Sequence, residues 1–182
     1  MAEKKQGQTR RGLVIVYTGN GKGKTTAGMG MLMRAWGRGM SVGAIQFIKD
    51  SQHEYGESLA AKRMGIPIHQ VGNGCTWQGK DLQDMRVFGL EGWAFAQEQI
   101  RTGSYHILLL DEFSYLFHFN WLDVAETIAW LRQYKPAGLT LVMTGRYAPQ
   151  ALMDFADLVS EMKEIKHPFT TEGLFSQPGV DF

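Results

Sequence analysis

Thr18-Gly19-Asn20-Gly21-Lys22-Gly23-Lys24-Thr25-Thr26 is the stretch that decides the fold. The apolar run Leu13-Val14-Ile15-Val16-Tyr17 precedes it and Met31-Leu32-Met33-Arg34-Ala35-Trp36 follows, so the pattern predicts a strand, a glycine loop and a helix. That order is the setting of a phosphate-binding loop. Glycines open positive φ to the backbone and bring N–H groups close to a polyanion, while the start of the helix adds partial positive charge. Gly19, Asn20, Gly21, Lys22, Gly23 and Thr26 would form the cradle, with Lys24 on the phosphates and the Thr25 hydroxyl on a magnesium ion. The usual first glycine, five residues before Gly23, is Thr18; counted from Gly19, the loop is one residue short. A nucleoside triphosphate is the expected ligand.

Outward from the loop, 182 residues suit one domain, and 44% hydrophobic content agrees with a soluble globular chain. We expect a basic, flexible segment over 1–11 and a single domain over 12–182. A formal charge of +1 gives no overall field for polyanions, which argues against nucleic acid as a partner. Nothing reads as a signal peptide or membrane span, so a cytoplasmic protein without a membrane partner is expected. Cys75 is the single cysteine and has no intramolecular disulfide partner.

Further strands are predicted at Val42 to Phe47, with Lys49 beyond its end, and at Ile66 to Val71, where Pro67 suggests an edge or the first residues of a strand. Glu54 to Met64 reads as a helix, Gly72 to Trp77 as a loop, and Lys80 to Arg101 as a long helix interrupted by Gly89 and Gly92. Ile107-Leu108-Leu109-Leu110-Asp111-Glu112 is an apolar strand of the kind buried on both faces, ending in two carboxylates. In a phosphate-loop fold this is the place of the acid that supports magnesium. Asn120 is placed as the cap of a helix from Trp121 to Tyr134, with Asp123 in its first turn. Leu139 to Thr144 reads as a strand ending at Gly145-Arg146, Pro149 opens a helix through Asp157, and Leu158 to Ile165 reads as the last strand. The aromatic series Tyr115, Phe117, Phe119, Trp121 alternates as a buried extended segment does, and lining of a ligand cleft is the other reading.

Strands and helices alternating at this rhythm predict an α/β fold, with an open, mainly parallel sheet and helices on both faces. Ligands of such sheets sit beyond the carboxyl ends of the strands, which would gather the glycine loop, Lys49, the Cys75 to Trp77 loop, Asp111, Glu112 and Arg146 in one cleft. A phosphate loop leaves the reaction open. A RecA-like ATPase acting as a nucleic-acid motor or switch is one reading, and a small-molecule kinase another.

The series Thr18 to Ala27, Gln46-Phe47-Ile48-Lys49, Thr76-Trp77, Leu109-Leu110-Asp111-Glu112 with Tyr115, Thr144-Gly145-Arg146, and Lys166-His167 resembles the ATP:corrinoid adenosyltransferases of the CobA/BtuR type. The resemblance runs from about Gly12 to Phe182, and the shortened loop is the form that family carries. It implies a P-loop NTPase (RecA-like) fold and transfer of the 5′-deoxyadenosyl group of ATP to the cobalt of a reduced corrinoid, cob(I)alamin or cobinamide. Triphosphate would be released, in adenosylcobalamin biosynthesis or salvage.

Under that resemblance the loop holds the leaving group rather than a phosphoryl group under attack. Lys24, Thr25 and Glu112 are the expected catalytic residues, and Thr25 and Glu112 hold a magnesium or manganese ion. Asp111 and Arg146 join the loop in binding ATP. Trp77 matches the family aromatic that fills one face of the corrin, and Cys75 stands where a second aromatic is usual. An electron-donating reductase or flavodoxin-type protein and a homodimer are implied as partners. The family's leading segment, which helps cover the site, is longer than the dozen residues before this first strand.

Overall fold

A computed structural model describes residues 11–49, 55–71 and 82–180. Six strands form one parallel sheet: β1 (Val14–Thr18), β2 (Val42–Gln46), β3 (Ile68–Gln70), β4 (Ile107–Asp111), β5 (Thr140–Thr144) and β6 (Leu158–Glu161), in the order β3-β2-β4-β5-β1-β6. The helices are α1 (Lys24–Trp36), α2 (Gly56–Met64), α3 (Leu82–Thr102), α4 (Tyr115–His118), α5 (Val124–Tyr134), α6 (Gln150–Phe155) and α7 (Pro168–Glu172). Among these none is long and apolar enough to cross a membrane.

Side chains alternate across a strand, so each central strand feeds two cores. Ile15, Ala44, Leu109 and Val142 point to one face and pack with Leu32 and Ala35 of α1 and Ala61 of α2. Val16, Ile45, Leu108, Leu110, Leu141 and Met143 point to the other, with Trp93, Ala96 and Ile100 of α3, Leu131 of α5 and Leu152 of α6. The expected α/β fold with helices on both faces is what the chain adopts.

α3 runs unbroken through Gly89 and Gly92. A Cβ on Gly92 would sit 2.6 Å from Val71, and one on Gly89 2.9 Å from the Trp121 ring. These glycines let the helix approach its neighbours, and that contact offsets their low helix propensity.

Three local expectations are corrected. Asn120 is not a helix cap: it has φ 54° in the turn after α4, and α5 is capped by Asp123, whose Oδ1 accepts the Glu126 amide at 2.8 Å. Asp123 and Glu126 have the spacing of a capping box, and the chain before them is occupied otherwise, since the Trp121 and Leu122 amides return to Leu116 O. Tyr115 to His118 is helical, not extended, so the aromatic alternation reports local packing. β3 spans three residues and β6 four, each shorter than the stretch expected to be a strand, and β3 is an edge strand with Pro67 just before its first residue.

Candidate active site

The candidate site residues of the described chain lie at or just past the carboxyl ends of β1, β2, β4 and β5. The glycine loop leaves β1 and enters α1, with Gly19 at φ 97° and Gly23 at φ 102°, conformations costly for any residue with a Cβ. The Lys24 side chain folds back over the loop. Its Nζ donates to Gly19 O at 2.8 Å and to Gly21 O at 2.7 Å, and burial lowers its pKa. The loop thus holds a buried cation against two of its own carbonyls.

Asp111 is the fixed point of the site. It is 0% exposed, and its Oδ1 accepts from the Thr25 hydroxyl at 2.9 Å and from Thr144 at 2.6 Å, while Oδ2 accepts from Gln46 Nε2 at 3.0 Å. Lys49 Nζ stands 3.6 Å from the same Oδ2. The carboxylate thus ties β4 to β2, β5 and α1. Gln46 is held in turn by Gln70 Nε2 at 3.3 Å, and Gln70 also donates to Ser58 of α2 at 3.4 Å. Lys49 pairs with Glu57 at the start of α2 and lies 4.7 Å from the Tyr55 ring centroid. Burial works against charge on Lys49, but Asp111 and Glu57 outweigh it and hold its pKa above the ordinary lysine value.

Glu112 differs from its neighbour. Its φ of 59° turns the chain off the strand, a conformation of some strain for a non-glycine residue. Its Oε2 is buried without a hydrogen-bond partner. Desolvation first, and the Asp111 charge second, push its pKa up to about 7, against the pull of Lys24, Lys49 and Arg146. A buried, orphaned carboxylate oxygen calls for a cation, and together with the Thr25 hydroxyl the donor set is the oxygen-only kind that suits a hard divalent ion.

The loop, Lys49, Glu57, Glu112 and Arg146 line one cleft of about 640 Å³, together with apolar residues of α1 and α2. This is the size and character of a small-molecule site.

The structure brings together Gly21, Lys22, Gly23, Lys24, Thr25, Thr26, Glu112 and Arg146 around the cleft, with Asp111 beneath it and Gly19 held by Lys24. Asn20 is exposed on the loop. Cys75 and Trp77 lie outside the described residues. Phe117 belongs to the core, packed edge-on to Phe113, while Tyr115 stacks with Phe119 and His118 with Tyr147. None of Tyr115, Phe117, Phe119 and Trp121 lines the cleft. His167 caps α7, its Nδ1 accepting the Phe169 amide at 3.1 Å. Sequence reasoning gave no role to Gln46, Glu57 or Thr144. A glutamine ending an apolar strand, and a threonine before Gly-Arg, were the available signals; Glu57 had none.

Residues 10–182 match the family described as "ATP:corrinoid adenosyltransferase BtuR/CobO/CobP". Among similar proteins, a corrinoid adenosyltransferase of Sinorhizobium sp is 39% identical over 174 residues, covering 94% of this chain and 81% of its own. The corrinoid adenosyltransferase of Escherichia coli K12 is 35% identical over 177 residues, covering 97% of this chain and 89% of its own. In fold, the chain is similar to the flagellar accessory protein FlaH of Methanocaldococcus jannaschii, with a TM-score of 0.55 at 11% identity, covering 86% of this chain and 73% of that one.

Proposed function

Since the chain belongs to the ATP:corrinoid adenosyltransferase family, whose members are enzymes that adenosylate corrinoids with ATP, we propose that it moves the 5′-deoxyadenosyl group of ATP to the cobalt of a reduced corrinoid and releases triphosphate intact. Cob(I)alamin or cobinamide would be the acceptor, in adenosylcobalamin biosynthesis or salvage. The observation that carries the reading is the cleft that joins a phosphate loop, with Lys24 at its centre, to the unpaired Glu112 and to an apolar wall.

Co(I) attacks C5′ with an electron pair that becomes the cobalt–carbon bond, and the bonding pair of the broken C5′–oxygen bond leaves on the triphosphate, so that cobalt is formally Co(III). No proton has to be removed from the nucleophile, so neither carboxylate acts as a general base. The loop amides, Lys24 and Arg146 stabilise negative charge that grows on the leaving oxygen, the kind of electrostatic help that acts most strongly in the transition state. Asp111 holds Thr25 in place, and Glu112 and Thr25 would hold a magnesium or manganese ion. Such an ion supplies further neutralisation of the triphosphate.

Cys75 and Trp77 are assigned to the corrinoid. An electron-donating reductase or flavodoxin-type protein would deliver Co(I), and a homodimer would be the working form. Anaerobic incubation with ATP, magnesium and chemically reduced cobalamin tests the reading. The visible spectrum should report a new cobalt–carbon bond, with one triphosphate formed per corrinoid consumed. ADP and phosphate appearing without any need for corrinoid would overturn it.

A further inference from the structure

The segment after β6 has no part in the roles above, yet it packs on the glycine loop and then reaches the cleft. Immediately past the strand, Met162 and Lys163 press on the outer side of the glycine loop. The Gly21 amide donates to Met162 O at 2.7 Å, and a Cβ on Gly21 would fall 2.7 Å from the Lys163 carbonyl carbon. Farther on, α7 starts at the His167 cap and stops at Gly173, φ 68°, and Phe169 meets Phe175 edge-on with centroids 5.7 Å apart. A turn closed by the Val180 amide on Gln177 O, at 3.2 Å with Gly179 at φ 77°, then sets Gly179 and Val180 in the lining of the cleft.

Val180 is 76% exposed, an apolar side chain in the same cleft lining as the apolar residues Met29, Met33, Ala60, Met64 and Ile66. The lining of the cleft therefore carries two chemistries. Backbone amides and Lys24 suit a polyphosphate; a wall of methionine and alanine suits the flat, weakly polar faces of a purine. One ATP molecule joins both chemistries at a fixed spacing, and a single continuous cleft offers both.

We propose that Val180 roofs the apolar end of the cleft and packs on the purine nucleoside of bound ATP, so that it is a substrate-contacting residue that sets ATP affinity. This rests on the adenosyl-transfer reading and deepens it, by giving each end of the nucleotide its end of the cleft. Val180 is exposed in the free protein, so its side chain gains cover only when the nucleotide arrives.

The test is steady-state transfer by Val180→Ala, Val180→Asp and Val180→Ile with reduced cobalamin, together with inhibition by inorganic tripolyphosphate, which has no nucleoside. The ATP KM should rise about fivefold in Val180→Ala and more than tenfold in Val180→Asp, and stay within about twofold in Val180→Ile. The kcat, the KM for cobalamin and the inhibition constant of tripolyphosphate should stay within about twofold of the parent. An ATP KM unmoved by Val180→Asp overturns the proposal. So does an equal weakening of ATP and tripolyphosphate, because that would mean a disturbed loop. Equilibrium binding of ATP separates the two readings: no adenosylation by the parent, with ATP binding still dependent on Val180, would sink the transfer reading and leave the roof standing.

Discussion

Asp111 and Glu112 are consecutive carboxylates that belong to two regions of opposite character, the floor of the site and the wall of its cleft. On the floor, Asp111 is fully buried and meets Thr25, Thr144, Gln46 and Lys49, so its charge is matched on every side. In the wall, Glu112 is shielded from water with one oxygen unmatched, and its backbone is held at positive φ. The floor is an interlocked structural unit. The wall stores unfavourable energy that the proposed cation and nucleotide would relieve, as expected where a site is prepared for a charged ligand.

Substituting the floor residue is expected to have the largest effect. Asp111→Ala strands three hydrogen-bond donors and leaves Lys49 with Glu57 alone, and should cost about 3–5 kcal/mol in denaturant unfolding. If it costs no more than a substitution at Glu112, the distinction between floor and wall fails.

Lys24→Ala tests the cleft from the loop side. Transfer should slow about 10²–10³-fold, as for loss of one preorganised charge stabiliser, while the KM for reduced corrinoid stays unchanged. Equal loss of both would contradict a loop that serves only the leaving group.

Glu112→Gln sharpens the comparison because its sign is opposite to that at Asp111. The folded protein keeps the Glu112 proton up to about pH 7, whereas the unfolded chain releases it near 4.5. Between those values the folded state binds more protons, so this group's contribution to stability falls as pH rises and is fully unfavourable above 7. Glutamine escapes that penalty. The variant should be more stable than the parent by about 2–3 kcal/mol at pH 8 and no more stable at pH 4, measured by denaturant titration without nucleotide. It should also lose transfer activity, and magnesium should no longer raise its melting temperature in the presence of ATP. In the parent, activity at limiting magnesium should climb as pH passes through about 7.

The smallest effect probes the second row of the floor. Gln46→Leu removes a donor from Asp111 and should cost about 1–2 kcal/mol. Gln70 would lose an acceptor but keep Ser58. A cost near zero would mean that Asp111 is held by Thr25 and Thr144 alone.

Much of this molecule was legible without coordinates. The glycine loop between an apolar strand and a helix, the buried Ile107 to Leu110 run ending in two acids, and the alternation of strands and helices all follow from local patterns of period two and 3.6. Those patterns suffice to place the loop, Lys49, Asp111, Glu112 and Arg146 past the strand ends, because a parallel sheet carries every strand in the same sense. The cap of α5 was less legible: the sequence pattern places Asn120 there with Asp123 in the first turn, whereas the amides of Trp121 and Leu122 return to Leu116 O and Asp123 is the cap.

Only the tertiary structure decided how adjacent carboxylates divide. Asp111 is the last residue of β4, where neighbouring strands bring Gln46 and Thr144 to it, pairings that depend on strand order and register. Glu112 is the first residue off the strand, and burial with an unmatched oxygen is a property of what surrounds it. The same holds for Glu57 beside Lys49 and for Val180 over the cleft, 123 positions apart in the sequence yet lining one cavity. A sequence determines which groups are present and which local geometry each prefers. Desolvation and the pairing of charges depend on distances that only the closed fold sets.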